Sequence, residues 1–306
     1  MTFGSQVDLD TAGRMLDIAR SNGITMIDTA NVYNGGASET MLGELLGGEA
    51  RDQFLLASKV GMPSPDAGEH SPLSRDAILA SIEASLRRLR TDRLDVYYLH
   101  QPDRQTPIEE TLATVNELVT QGVVGEIGVS NYAAWQIAEL LEVSRRKGFV
   151  APTVSQPLYS LVARRIEAEY IEFSATAGLS NIVYNPLGGG LLTGKHVFEH
   201  PEEGGRFGES GLGPMYRERY WNRQLFEAVG ELTRVAEEAG LTLIQLAYRW
   251  LMSRSSVAAV LVGASDVAHL ESNIEASRGP GPDDTQSDRI DEIWRGLDGP
   301  APAYSR

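Results

Sequence analysis

Short apolar runs alternate with amphipathic segments of helical period along almost the whole chain. At the start, a predicted helix from Leu9 to Asn22 is closed by Gly23 and followed at once by the apolar run Ile24 to Asp28. Seven runs are predicted as strands: Ile24 to Asp28, Phe54 to Val60, Leu94 to His100, Val123 to Asn131, Thr153 to Tyr159, Asn181 to Leu187 and Ala258 to Ala264. This alternation predicts right-handed βαβ units and a parallel sheet.

The intervening segments have apolar residues at helical spacing and begin or end at turn residues. The helices predicted after the first are Ser38 to Leu46, Ser74 to Arg90, Pro107 to Gln121, Ala133 to Lys147, Arg164 to Ala177, Gln224 to Ala239, Thr242 to Met252, Val267 to Ala276 and Gln286 to Leu297. The Gly- and Pro-rich stretch from Gly188 to Pro214 looks like an insertion into this pattern.

A count of seven strands is intermediate between the counts typical of a doubly wound sheet and of an eight-stranded barrel. A nucleotide-binding doubly wound sheet would carry a G-x-G-x-x-G turn after its first strand, and no predicted strand is followed by one. Since barrels of about this length are commonly one domain, we expect a single domain over residues 1–306.

Composition narrows the possible functions. The net charge is −15, from 42 acidic and 27 basic residues, which disfavours nucleic acid or an anionic membrane as a partner. The absence of cysteine excludes disulfides, thiolate zinc sites and cysteine nucleophiles. There is no long uncharged apolar run and no signal-peptide pattern at the start, so neither a membrane span nor a signal peptide is predicted. Because the lack of cysteine fits a reducing compartment, the expected location is the cytoplasm.

The predicted strands are apolar in their bodies and polar at their carboxyl ends, where the chemistry of such barrels lies. The polar end residues are Asp28, Lys59, His100, Ser130, Asn131, Gln156, Tyr184 and Asn185. Each alone is best explained structurally, as a helix cap, a solvated lysine or a satisfied core histidine. On adjacent strands of a closed ring, however, they would converge on one pocket.

A buried carboxylate needs a partner, and Lys59 is the partner that Asp28 requires. A nearby ammonium stabilises phenolate, so it would lower the pKa of Tyr33; a drop of two units corresponds to about 2.7 kcal/mol and makes the phenol a usable general acid. Neutral His100 would orient a carbonyl oxygen towards this phenol. The set has no electron source of its own, which implies a bound cofactor.

These residues and their surroundings resemble the aldo-keto reductases, most closely the bacterial branches related to the potassium-channel β subunits. The motifs that carry the resemblance, in order, are Asp28-Thr29-Ala30 with Tyr33, Ala57-Ser58-Lys59, Leu99-His100-Gln101-Pro102-Asp103, Gly128-Val129-Ser130-Asn131, Pro186 to Lys195, and Gly263-Ala264-Ser265 to Asn273. The resemblance implies a (β/α)8 TIM barrel that binds NADP(H) and reduces a small aldehyde or ketone, with NAD(H) left open.

By position, the resemblance assigns the catalytic tetrad to Asp28, Tyr33, Lys59 and His100, with Tyr33 as proton donor. It implies that Ser130, Asn131 and Gln156 bind the carboxamide of nicotinamide and that Tyr184 stacks on the nicotinamide ring. Its other implied cofactor contacts are Asn185, Pro186, Leu187, Gly188, Lys195, Arg206, Gly263, Ser265, His269 and Asn273.

The glycine-rich loop allows other interpretations. Gly189-x4-Gly194-Lys195 matches a P-loop up to His196, which stands where the magnesium-binding Ser or Thr is required. Its amides, with Lys195 and Arg206, would instead serve a pyrophosphate, or the loop is simply a surface loop.

The chain also departs from the family pattern. The resemblance places the 2′-phosphate contacts near Ser265 and His269, and Asp266 adds a negative charge beside them, which weakens the expected preference for NADPH. The family's N-terminal hairpin and first barrel strand would precede Met1, so we expect them to be missing or truncated. We expect either a start upstream of this sequence or a weakened barrel of seven strands. Substrate choice is expected to lie in the loops Met62 to Ser71, Tyr132 to Trp135 and Tyr216 to Trp221.

Two alternatives to a reductase remain. The first is a cofactor-sensing regulatory subunit with little turnover, as the channel β resemblance allows. The second, a metal-dependent sugar isomerase, would need clustered carboxylates and histidines at the strand ends, and the sequence shows none, so no metal site is predicted.

Overall fold

A computed structural model of the chain describes residues 2–200, 205–208 and 213–299. The chain divides into two compact units. The first comprises Met1–Pro157, Phe173–Ser180 and Gly263–Glu271, and the second comprises Leu158–Glu172, Asn181–Val262 and Ser272–Arg306.

The part of the chain that the structure describes contains seven strands, which are β1 (Met26–Asp28), β2 (Leu55–Val60), β3 (Leu94–Leu99), β4 (Val124–Ser130), β5 (Val154–Gln156), β6 (Ser180–Val183) and β7 (Ala259–Val260). Its α-helices are α1 (Leu9–Ser21), α2 (Ala37–Leu45), α3 (Arg75–Leu89), α4 (Ile108–Thr120), α5 (Ala134–Lys147), α6 (Tyr170–Thr176), α7 (Gly213–Tyr220), α8 (Arg223–Glu238), α9 (Leu243–Met252), α10 (Val267–Ala276) and α11 (Asp284–Asp298).

In the first unit, β1 to β5 pair in parallel, each with the next strand along the chain. In the second unit, β6 and β7 are also parallel. Strand and helix alternate as the hydrophobic pattern predicted, and this is the (β/α)8 barrel class with seven strands in the described residues. The expected fold class is therefore confirmed.

The ends of the helices follow from local chemistry. The Asp8 carboxylate accepts a hydrogen bond from the amide of Thr11 and starts α1, and Ser74 caps α3 in the same way through Ala77. Gly148, with φ of 70°, ends α5 in the left-handed conformation that glycine adopts without steric cost. Such caps fix where each helix begins or ends.

Three local expectations were wrong. The apolar run at β1 predicted a buried strand, but Met26 and Ile27 are only half-buried, because within the described first unit β1 pairs with β2 alone. The Asp28 side chain at the end of the strand is nevertheless buried, with 8% of its surface exposed. The helix expected over 164–177 is a single 3₁₀ turn, Arg165–Glu167, followed by the shorter α6.

The third wrong expectation is the loop at Tyr216 to Trp221. Most of this segment lies in α7. Its sequence, GPMYRERY, has no apolar stripe of helical period, so the pattern gave no helical signal there.

The core of the second unit is built around α8 and α9. Tyr159, Val183, Leu232, Leu246 and Trp250 are among its fully or almost fully buried members. This core includes Leu191 and Leu192 of the glycine-rich loop, which are almost fully buried.

Candidate active site

A buried ion pair joins the ends of β1 and β2. The side chain of Lys59 is wholly buried, and its Nζ is paired with Oδ1 of Asp28 and donates to the carbonyl oxygen of Thr29 at 2.7 Å. Burial opposes the charge, but the Asp28 carboxylate and the nearby Tyr33 outweigh it and raise the pKa of Lys59. The lysine is therefore a fixed ammonium ion at neutral pH.

Tyr33 begins the short turn Tyr33–Gly36 that follows β1. Its ring centroid lies 5.0 Å from Lys59 Nζ, and its ring meets that of His100 edge to face, with centroids 5.9 Å apart. The turn passes through the left-handed region at Asn34 (φ 51°), Gly35 (φ 63°) and Gly36 (φ 91°). The structure thus brings together the four residues predicted as a tetrad.

His100 is held neutral. Burial, together with the charge of Lys59, lowers its pKa to about 3. Its backbone amide donates to the carbonyl of Val60 at 2.7 Å, and within the described part of the chain its Nδ1 has no hydrogen-bond partner. A neutral imidazole beside Tyr33 is able to orient a carbonyl oxygen by hydrogen bonding.

Amide and hydroxyl groups at the ends of β4 and β5 connect to this tetrad. Gln156 Nε2 donates to Oδ2 of Asp28 at 2.8 Å, and Asn131 Nδ2 donates to the carbonyl of His100 at 2.9 Å. Ser130 Oγ donates to the carbonyl of Gln156 at 2.9 Å. Asp28 therefore has two partners rather than the one that the sequence suggested.

These three residues have the chemistry that a carboxamide requires. A carboxamide offers two donor hydrogens and one acceptor oxygen, and the hydroxyl and the two amide side chains together contain both donors and acceptors. Ser130 and Gln156 are buried, and Asn131, with φ of 60°, holds the conformation that Asn tolerates better than most residues. The residues present fit a nicotinamide carboxamide, although Gln156 also positions Asp28.

The second unit contains most of the other predicted cofactor contacts. The glycine-rich loop forms the 3₁₀ turn Gly188–Thr193. Asn185 bridges this loop to α7, since its Oδ1 accepts from the Gly189 amide at 2.8 Å and its Nδ2 donates to Tyr220 Oη at 2.7 Å. A Cβ at Gly189 would lie 2.7 Å from the ring of Tyr216, so the loop packs closely against α7.

The remaining contacts in this unit differ in exposure. Pro186 and Gly188 are buried, Tyr184 and Leu187 are half-buried, and Lys195 is exposed.

Arg206 donates to Tyr216 Oη at 3.0 Å and lies 5.5 Å from the centre of its ring. Asn273 is buried on α10.

The predicted 2′-phosphate contacts in the first unit surround a carboxylate. Asp266 Oδ1 accepts from the amide of His269 at 2.8 Å, and its Oδ2 lies 2.6 Å from His269 Nδ1. Ser265 Oγ is 3.2 Å from the same ring nitrogen, and the preceding Gly263 is exposed. The Asp266 carboxylate, expected from the sequence to lie beside these contacts, is therefore in direct contact with His269.

Within residues 2–200, 205–208 and 213–299, no group of three or more His, Asp or Glu side chains is placed to hold a metal ion. Over the same residues, no helix is long and apolar enough to cross a membrane.

Comparison with known proteins agrees with the geometry. Residues 1–295 match the model of the aldo/keto reductase family. The human aldo-keto reductase family 7 member A3 is 33% identical over 100% of this chain and 95% of its own length. The human aflatoxin B1 aldehyde reductase member 4 is 33% identical, over 96% of this chain and 92% of its own length.

A probable voltage-gated potassium channel subunit beta of Arabidopsis thaliana is 32% identical over 90% of this chain and 84% of its own length. The chain belongs to the aldo/keto reductase family, a family of oxidoreductases, and the resemblance deduced from its motifs is confirmed.

Proposed function

We propose that the chain is an NADPH-dependent reductase of small aldehydes or ketones, with Tyr33 as the proton donor. The observation that carries this proposal is the buried Lys59–Asp28 pair lying against the ring of Tyr33, with a neutral His100 at the ring's other contact. A bound nicotinamide dinucleotide would supply the hydride that the side chains lack.

The roles of the side chains follow from their charges. Tyr33 donates its phenolic proton to the carbonyl oxygen as that oxygen gains negative charge, which leaves an alcohol as product and a phenolate on the protein. Lys59 stabilises this phenolate, and Asp28 holds the ammonium in place. Because His100 is neutral, it hydrogen-bonds the carbonyl oxygen without adding a second positive charge beside Lys59.

The test is NADPH oxidation over a panel of aldehydes, ketones and sugars, with wild type and Tyr33→Phe. Loss of a general acid is expected to lower kcat by about 100-fold or more, while cofactor binding, followed by NADPH fluorescence, is retained. Tyr97→Phe is the matched control, because the Tyr97 hydroxyl is fully buried and has no hydrogen-bond partner among the described residues. Equal turnover by Tyr33→Phe and wild type would refute the assigned role.

A regulatory subunit with little turnover is the second candidate, supported by the 32% identity to a protein named as a potassium channel β subunit. Cofactor binding without turnover on any member of the panel would favour it. We also propose a cytoplasmic location and a small carbonyl compound as substrate; cell fractionation and the same panel test these two statements.

A further inference from the structure

Arg88, on α3, joins two acidic residues that lie in different segments around the tetrad. Its Nε donates to Glu39 Oε2 at 2.7 Å, and its two terminal nitrogens donate to the two oxygens of Asp66 at 2.9 and 2.6 Å. Glu39 is wholly buried on α2, and Asp66 lies in the loop after β2. The planar guanidinium thus forms a bidentate pair on one side and a single charged hydrogen bond on the other.

The side chain of Arg88 also packs against the turn that carries Tyr33. A Cβ at Gly36, the last residue of that turn, would lie 2.9 Å from Nε and 3.0 Å from Cδ of Arg88. Gly36 has φ of 91°, where residues with a side chain are strained. The backbone of the turn therefore lies directly on the arginine, and its position depends on where the guanidinium is held.

We call the bonds of Arg88 to Glu39 and to Asp66 its Glu39 arm and its Asp66 arm. The Glu39 arm lies next to the strands that carry Lys59 and Asp28. Ser58 Oγ, one residue before Lys59, donates to Glu39 Oε1 at 2.5 Å. The residue before Glu39 is also tied to the tetrad: the hydroxyls of Ser38 and Thr29 are 2.9 Å apart, and Thr29 follows Asp28. Arg88 is thus linked through Glu39 to Ser58, the neighbour of Lys59, while the residue next to Glu39 bonds Thr29, the neighbour of Asp28.

The Asp66 arm leads to the loop between β2 and α3. This loop is fixed at its far end by Asp103, whose carboxylate accepts from the Ser71 hydroxyl at 2.6 Å and from the Leu73 amide at 3.0 Å. Near its beginning, Asn31 Nδ2 donates to Ser64 Oγ at 3.3 Å. Asp66, in the 3₁₀ turn Pro65–Ala67, is the charged anchor between these two points.

The charges of Arg88, Glu39 and Asp66 make these hydrogen bonds costly to break. The hydrogen bonds to Asp66 come first among the causes that raise the pKa of Arg88, and the nearby Glu39 adds to them against the cost of burial. The arginine is charged under all ordinary conditions, and a carboxylate as buried as that of Glu39 is expensive to leave without its cation.

We propose that Arg88 is a positioning residue for carbonyl reduction: its side chain holds the turn of Tyr33, its bond to Glu39 fixes that side chain beside β2, and its bonds to Asp66 hold the loop after β2 over the substrate. This inference rests on the proposed reductase function and assigns a residue that touches neither the tetrad side chains nor, by this proposal, the substrate.

The experiment separates the two arms. Asp66→Asn weakens the bidentate pair alone and is expected to raise KM for the carbonyl substrate about tenfold with kcat within about twofold of wild type, because only substrate binding is affected. Arg88→Lys keeps the charge but loses the fork, so kcat is expected to fall by tenfold or more, since small displacements of a proton donor are costly. Arg88→Met, which also loses the charge, is expected to have a lower kcat than Arg88→Lys.

Arg87→Lys is the matched control, because Arg87 is the neighbouring residue of the same helix, is largely exposed and pairs with Glu83 at a distance of 3.7 Å. It is expected to match wild type. If Arg88→Lys and Asp66→Asn lower the melting temperature but keep the kcat and KM of Arg87→Lys, the role is structural only and the proposal is overturned.

Amide hydrogen exchange gives a readout that needs no turnover. Asp66→Asn is expected to speed exchange in residues 62–71 alone, and Arg88→Lys to speed it in residues 33–36 as well. Unchanged exchange in both segments overturns the proposal even if the enzyme is active. If wild type turns over no carbonyl compound, the proposed function fails, and exchange alone then decides whether Arg88 holds the two segments.

Discussion

The neutral state of His100 has a measurable consequence for stability. In the unfolded chain a histidine titrates near pH 6.5, whereas burial and then the charge of Lys59 lower the folded-state pKa to about 3. Between these values the unfolded state binds one more proton than the folded state. The stability that depends on a neutral His100 is therefore complete above about pH 6.5 and is lost as the pH falls towards 3.

The magnitude follows from linkage. The contribution lost relative to neutral pH is about 1.4 kcal/mol at pH 5.5 and about 2.7 kcal/mol at pH 4.5. The free energy lost at pH 5.5 depends almost entirely on the pKa of His100 in the unfolded state, because the folded-state pKa is so much lower. That makes the interval from pH 7.5 to 5.5 the best place to measure.

The assay compares urea unfolding of wild type and His100→Gln across this interval, with circular dichroism as the probe. All other ionisable groups are the same in both proteins, so their contributions cancel in the difference between the two free energies of unfolding. We expect wild type to lose about 1.4 kcal/mol relative to the variant on going from pH 7.5 to 5.5. A difference that does not change with pH, or one that favours wild type at pH 5.5, would refute the argument.

Three further predictions concern the pair, the cofactor and the sheet. Lys59→Met leaves a buried carboxylate without its cation, so urea unfolding should show a loss of about 3–5 kcal/mol. Asp266→Asn removes a charge worth about 1 kcal/mol against a nearby phosphate, so the ratio of kcat/KM for NADPH to that for NADH should rise roughly fivefold; an unchanged ratio would place the 2′-phosphate elsewhere. Gly128→Ala would put a Cβ 2.4 Å from the ring of Tyr98 and should cost about 1–3 kcal/mol in thermal unfolding. Gly230→Ala on α8 would meet no atom outside the nearby backbone of its own helix within 4 Å and should not destabilise the protein.

Much of the fold was predictable because most of its elements follow a hydrophobic period. The helix predicted over Val267 to Ala276 has those bounds in the structure, and the strand at Leu94 differs only at its last residue. The helix α7 was missed because its apolar residues follow no helical stripe. The burial of β1 was overestimated because an apolar run does not reveal how many neighbours its strand will have.

Convergence of the tetrad was predictable for a different reason. Parallel strands end at the same edge, so polar residues at Asp28, Lys59 and His100 had to meet if the strands were neighbours. The hydrogen bond from Gln156 to Asp28 joins residues 128 positions apart, and the bridge formed by Arg88 depends on side-chain rotamers on a helix outside the sheet. Neither leaves a local pattern in the sequence, which is why both emerged only from the structure.

The anchoring of the loop after β2 divides it into parts that differ in how freely they can be altered. Ser64, Asp66, Ser71 and Leu73 are each tied to an element that carries or adjoins the tetrad. Between these ties lies the stretch 68–70, whose residues are exposed. For protein engineering, this stretch is a site for replacement: residues grafted there would change the surface of the loop while the residues that hold Tyr33 keep their own contacts.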